Sequence, residues 1–236
     1  FHYSALLMLP FYFINYLSKI NHRLWFVIFI GSIFFSPVIF INFPDKYLES
    51  NVKGFLYIGT ACSFPEFLQD KLDYQLLLEE DLYPALPESA YGWSKLMGQY
   101  ETELLSKESN IKTCTLMLHN VYGAPCDFSE EKSQVIPSLI RKVIDKENNN
   151  LDVWGSGKQG RAFIHVNDVV DGIISALDNG WGHGHIQLGP DKCTSIKEIA
   201  EELLIISKSN KKIKYDTSKP EGDLARAANY SKAKKF

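Results

Sequence analysis

The first 50 residues contain a single glycine, Gly31. That excludes a glycine-rich turn of the kind that lets a phosphate approach the backbone amides of a helix N-terminus. Charge is as sparse in the same stretch. Up to Phe43 only Lys19 and Arg23 are fully charged, while nine of the fifteen phenylalanines lie there. Cysteine is scarce throughout. Cys62, Cys114, Cys126 and Cys193 stand far apart, without a Cys-x-x-Cys pair or a histidine at matching spacing. Neither a metal site nor a disulfide framework is indicated, and a reducing, cytoplasmic compartment is the simplest reading. An excess of positive charge is also missing: 25 Lys and Arg stand against 28 Asp and Glu, for a net charge of −3. The basic residues do not cluster with aromatics, so nucleic acid is not an expected partner.

Composition shifts near residue 44, and the two parts obey different solvent rules. Leu24 to Phe43 is almost wholly apolar and as long as the ~20 residues that span a bilayer, though Gly31 and Pro37 interrupt it. As a signal peptide the region is too long and lacks a small-x-small cleavage site. Two readings of residues 1–48 stand. One is a membrane span, with contact through residues 24–43 and a membrane-anchored protein. The other is a non-native or fragmentary N-terminus, in keeping with a first residue that is Phe rather than Met.

From residue 49 the pattern is α/β. Lys53 to Gly59 is a short apolar run ended by Gly-Thr, the signature of a strand buried in a parallel sheet. A Pro-rich loop spans Asp81 to Ser89, a helical period runs from Ala90 to about Ser109, and Lys112 to His119 reads as a second buried strand. Together they make a βαβ unit. Further on, Gln134 to Lys146 reads as a helix and Leu151 to Trp154 as a strand. Asn167 is expected to cap a helix to Asn179, Ser195 with Glu198 forms a capping box for a helix to Ser207, and Lys211 to Tyr215 closes the pattern as a strand. The expected architecture is a partial Rossmann-like parallel sheet over residues 49–150, followed over 151–236 mainly by a small α/β substrate-binding lobe.

Chemistry centres on Tyr91-Gly92-Trp93-Ser94-Lys95. A tyrosine and a lysine four apart on a helix share a face, so the ammonium is expected near enough to lower the phenol's pKa. By itself the spacing is common and reads first as an exposed amphipathic pair. Its setting is more specific: Thr60 and Cys62 close the strand before it, and His119-Asn120-Val121-Tyr122-Gly123 closes the strand after it. Both loops are expected to open on one crevice with Tyr91, at the carboxyl edge of the sheet.

These segments, with Val135-Ile136-Pro137, Trp154-Gly155-x-Gly157 and Ser218-Lys219-Pro220-x-Gly222, resemble the extended short-chain dehydrogenase/reductases, in particular the branch of nucleotide-sugar epimerases and reductases. The resemblance runs over roughly Asn51 to Phe236. It implies NAD or NADP as cofactor, a nucleotide-sugar substrate and a homodimer built on two helices, one carrying Tyr91 and Lys95. It makes Tyr91 the acid/base at the sugar C4 oxygen, Lys95 its partner and a hold on the nicotinamide ribose, and Thr60 a hydrogen-bond donor to the same oxygen. Leu118 falls in the cofactor site, and Cys62 matches the base of epimerisations at C3 and C5. Asn120, Gln134, Trp154, Arg161 and Arg226 fall where substrate is bound, Trp154, Arg161 and Arg226 toward the nucleotide.

Two departures follow from the same resemblance. Gln134 stands where reductases of this branch place a histidine acid. Either Lys132, two residues earlier, supplies that acid, or double epimerisation is not this chain's reaction. The Gly-x-x-Gly-x-x-Gly strand-turn-helix is missing before Asn51, where a βαβαβ half needs on the order of 75 to 100 residues. The expectation is a catalytic helix and sugar-nucleotide lobe joined to an unrelated apolar segment, binding dinucleotide poorly. Its rival is a membrane-tethered pseudoenzyme that serves as a binding module.

Overall fold

A computed structural model of the chain describes residues 52–236. The apolar stretch 24–43, and with it the expectation of a membrane contact, lies outside the described residues. Among the described residues no helix is long and apolar enough to cross a membrane.

The βαβ unit forms as its hydrophobic pattern requires. β1 (Gly54–Thr60) leads through a loop and α1 (Ala90–Glu108) to β3 (Lys112–Leu118). The two strands pair in parallel from Gly54 against Lys112 to Thr60 against Leu118. β8 (Gly184–Leu188) adds on the far side of β3, in parallel, giving the order β1-β3-β8. The five residues Thr113 to Met117 are all buried because the sheet is covered on both faces. Leu116 joins Cys114, Ala176, Ile186 and Leu188 under α3 (Val166–Asn179), while Met117 points the other way to Phe64, Leu77, Leu82 and Leu96 beside α1. Each buried Leu, Ile, Met or Phe among them contributes roughly 1.5–3 kcal/mol by leaving water.

α3 and β8 follow residue 150 in the chain but return to the first sheet, whereas β2 (Leu76–Leu77) pairs with β11 (Ala225–Ala228). The four-stranded sheet runs β2-β11-β6-β9, with β6 at Gly160–Arg161 and β9 at Thr194–Ser195. The two parts therefore interleave within one compact unit, Lys53–Phe236. β5 (Asn150–Trp154) and β10 (Lys212–Asp216) pair in parallel. α2 (Val135–Ile144) and α4 (Ile196–Ser207) pack on them through Leu139, Val143, Leu151, Val153, Ile196 and Ala200.

Helix starts follow local chemistry, with one correction. The Ser195–Glu198 capping box is present in both directions. The cap of α3, however, is His165 rather than Asn167: the His165 Nδ1 accepts from the Asn167 amide at 3.2 Å. Short β4 (Asn120–Tyr122) and β7 (Phe163–His165), parallel to each other, set that geometry.

Candidate active site

The N-terminus of α1 is fixed by Ser89, whose Oγ accepts from the Gly92 amide at 3.1 Å. Tyr91 therefore stands in the first turn, 54% exposed. Gly92 has no side chain for a steric reason: a Cβ there would lie 2.3 Å from the Cys62 carbonyl oxygen and 2.8 Å from Pro87 Cβ. The helix can abut the Cys62 turn only because that atom is missing. One turn on, Lys95 Nζ donates to the Ile58 carbonyl at 3.0 Å and lies 5.4 Å from the centre of the Tyr57 ring. The sequence offered no sign of Tyr57 as a second phenol at this point, where its hydroxyl donates to the Lys95 carbonyl at 3.3 Å. Burial, then Tyr91 and Glu101, push the Tyr57 phenol up, so it stays protonated and does not compete as a base.

At the end of β1, buried Thr60 caps the turn Ala61–Ser63, its Oγ1 accepting from the Cys62 amide at 3.2 Å. Cys62, half-buried, receives Arg226 Nη2 at 3.4 Å. Arg226 itself is 6% exposed. Its Nη1 donates to Gln69 Oε1 at 3.1 Å and to Asp223 Oδ2 at 2.9 Å. An arginine expected to face a nucleotide is thus committed within the protein, because its alanine-rich strand β11 runs between β2 and β6.

At the end of β3, the chain passes Leu118 and buried His119 to Asn120. Gln187 Nε2 donates to the Leu77 carbonyl at 2.6 Å, which leaves its Oε1 to accept from His119 Nε2 at 3.0 Å. That chain of donors makes His119 Nδ1 a lone-pair site, and it has no partner among the described residues. Burial lowers the His119 pKa to about 4, Arg226 adds to the fall, and the Gln187 bond opposes both. Buried Asn120 Oδ1 is likewise unpartnered.

Thr60, Cys62, Tyr91, Lys95, Leu118, Asn120, Gln134 and Arg226 all line one cleft of about 340 Å³. Lys132, Trp154 and Arg161 do not line it. Lys132 is exposed in the turn before α2. Trp154 is 55% exposed, with the ammonium groups of Lys142 and Lys219 at 5.6 and 5.5 Å from its ring. Arg161 Nη1 donates to the carbonyls of Gly160 at 2.8 Å and Asp223 at 2.7 Å. Sequence reading passed over His119, Gln69 and Asp223 as site residues; a polar residue next to a strand end was the only available signal for the first. Among the described residues no group of three or more His, Cys, Asp or Glu could hold a metal ion.

The profile of the NAD dependent epimerase/dehydratase family matches residues 42–189. The chain belongs to this family. The match begins inside the apolar segment 1–48, which moves the family boundary toward the N-terminus of where the motifs had placed it. A GDP-L-fucose synthase of Arabidopsis thaliana is 28% identical over 187 residues, 78% of this chain and 57% of that protein. The GDP-mannose 3,5-epimerase of the same plant is 27% identical over 169 residues, 72% of this chain and 44% of that protein. The chain thus spans about half the length of these epimerase-family relatives. Among solved structures, a UDP-glucose 4-epimerase from Thermotoga maritima superposes with a TM-score of 0.71 at 22% identity, covering 81% of this chain and 59% of that one. A GDP-6-OMe-4-keto-L-xylo-heptose reductase from C. jejuni gives 0.70 at 25% identity, covering 78% and 65%.

Proposed function

We propose that this epimerase-family chain carries the catalytic face of an enzyme that acts around C4 of a nucleotide-linked hexose, with NAD or NADP. The observation that carries the reading is the convergence of Thr60, Cys62, Tyr91 and Asn120, from three separate stretches, on one cleft. Each has a free function there. The Thr60 oxygen spends a lone pair on the Cys62 amide, so its hydrogen remains to donate to a sugar oxygen. Tyr91, exposed in the first helical turn, is the acid/base at that oxygen. Asn120 Oδ1, buried without a donor, accepts from a sugar hydroxyl.

The described residues fit the reactive end of a dinucleotide. Among the described residues Lys95 has one acceptor, Ile58 O, and an ammonium carries three donors, so two remain for a ribose. The cofactor, when bound, supplies hydride exchange at C4. Among the described residues no glycine-rich strand-turn-helix offers a cradle for its pyrophosphate.

A keto group at C4 acidifies the neighbouring C–H bonds, and Cys62 is the base placed to remove that proton. Lys132 lies outside the cleft and Gln134 inside it, which favours proton exchange at one face over double epimerisation. Toward the nucleotide, Trp154 flanked by its two lysines is an exposed stacking surface of positive sign. The exposed faces of α1 (Trp93, Met97, Tyr100) and α3 (Val170, Ile174, Leu177) fit a homodimer contact.

The test is a titration of the full chain with NADH and NADPH, followed by turnover of a GDP-linked 4-keto hexose. Micromolar cofactor binding and turnover abolished by Tyr91→Phe support the enzyme. Its failure to bind either dinucleotide, with retained binding of GDP-hexose, supports instead a binding module.

A further inference from the structure

Arg226 is a buried cation whose bonding directions are set by groups committed elsewhere. Gln69 Nε2 donates to the carbonyls of Phe64 and Pro65, both at 3.2 Å. This bolts Gln69 to the segment that follows Cys62 and turns its Oε1 toward Arg226. With Nη1 held by Gln69 and Asp223, the planar guanidinium has its other terminal nitrogen directed at the sulfur. Four groups thus form one connected clamp: Phe64–Pro65 backbone, Gln69, Arg226 and Asp223.

We propose that Arg226 is the positioning residue of Cys62, holding the sulfur at the cleft beside Tyr91 and favouring its thiolate over its thiol. The physical reason is that a thiolate accepts a charge-assisted hydrogen bond from a guanidinium more strongly than a thiol does. Arg161 adds a second guanidinium whose field reaches Cys62 and Cys193. Against these stands Asp223, while burial and the nearby Asp223 keep the Glu88 carboxyl above its usual range. His119, held neutral, adds no charge, and Tyr91 faces the same cleft.

This assignment rests on the reading of Cys62 as the base. In that step the carbon-bound proton next to the C4 ketone moves to the sulfur, the C–H electron pair becomes the enolate, and the thiol then returns the proton. A nucleotide-linked 4-keto hexose undergoes this exchange without any redox step.

The experiment measures alkylation of Cys62 by iodoacetamide across pH on the full chain, read at that residue by peptide mass spectrometry, with no substrate present. In Arg226→Gln the midpoint of the rate profile rises by about one pH unit, near tenfold slower alkylation at neutral pH. Arg226→Lys recovers part of the shift. Because Arg226→Gln leaves Asp223 buried without a cation, the pair Arg226→Gln/Asp223→Asn is measured as well. A midpoint unmoved in both overturns the assignment. Deuterium uptake from D2O into a GDP-linked 4-keto hexose is followed in parallel. A moved midpoint without any uptake by the native chain keeps Arg226 as the thiolate's partner and removes Cys62 from catalysis. Uptake that proceeds undiminished in Arg226→Gln overturns the proposal.

Discussion

The acid stability of this fold should depend on His119. The ring is neutral, Nε2 donates to Gln187, and Nδ1 has no partner among the described residues. Protonating it places a charge in a buried site near Arg226. The folded pKa, lowered to about 4, lies below the ordinary value of 6.5, so between the two the unfolded chain binds the extra proton. Stability is therefore complete above the unfolded value and is lost as pH falls from there toward the folded one. At about pH 4.5 the loss relative to neutral pH is roughly 2–3 kcal/mol from this residue alone. That is a large share of the ~5–15 kcal/mol that holds a domain together. His119→Gln preserves a donor for Gln187 and cannot titrate. Urea unfolding of both proteins, followed by far-UV circular dichroism from near pH 7 down to about 4.5, isolates the effect because other titrating groups cancel in the difference. The native chain should lose the larger amount of stability. Parallel curves, within about 0.5 kcal/mol at every pH, would refute a neutral buried His119.

Other consequences are more local. Tyr91→Phe should leave the unfolding midpoint unchanged, since Tyr91 is exposed and its hydroxyl is not used in the fold, yet lower turnover by about 100-fold or more in a steady-state assay. Gly92→Ala should cost about 1–3 kcal/mol and displace α1 from the Cys62 turn, measured by urea unfolding together with loss of substrate binding. Ser195→Ala, which removes the side-chain half of a capping box and leaves the Ser195 amide to donate to Glu198, should cost about 1 kcal/mol without altering the cleft. Lys132→Ala should keep full deuterium exchange at the substrate carbons, and its loss would return that lysine to the site.

The central βαβ unit was legible because its residues answer only to local rules. Runs such as Thr113 to Met117 are buried throughout, as in a sheet covered on both faces, and Ser195 with Glu198 marks a helix start by hydrogen bonds within four residues. What escaped was whatever depends on distant chain. The two-residue strands β2, β6 and β9 are too short for periodicity and exist because β11 runs among them. His165 displaced Asn167 as a cap because β7, paired with β4, brings its imidazole over the amide. The same division holds at the site. Thr60, Cys62, Tyr91 and Asn120 announce themselves at strand and helix ends, and the sheet brings those ends together. Arg226 announced a charge but not its direction: nothing in Lys-Pro-Glu-Gly-Asp shows that Gln69 waits 157 residues earlier to receive it.

The contact between Arg226 and Cys62 joins positions 164 residues apart, and it exists only after β11 has slotted between β2 and β6. Pairings so distant in sequence carry a larger loop-closure cost than the local contacts of the βαβ unit. A nascent or C-terminally cleaved chain ending before Ala225 would keep Tyr91, Lys95 and Cys62 on a preformed sheet edge and still lack the cation beside the sulfur. The cation therefore reaches the Cys62 sulfur only in a chain complete through β11.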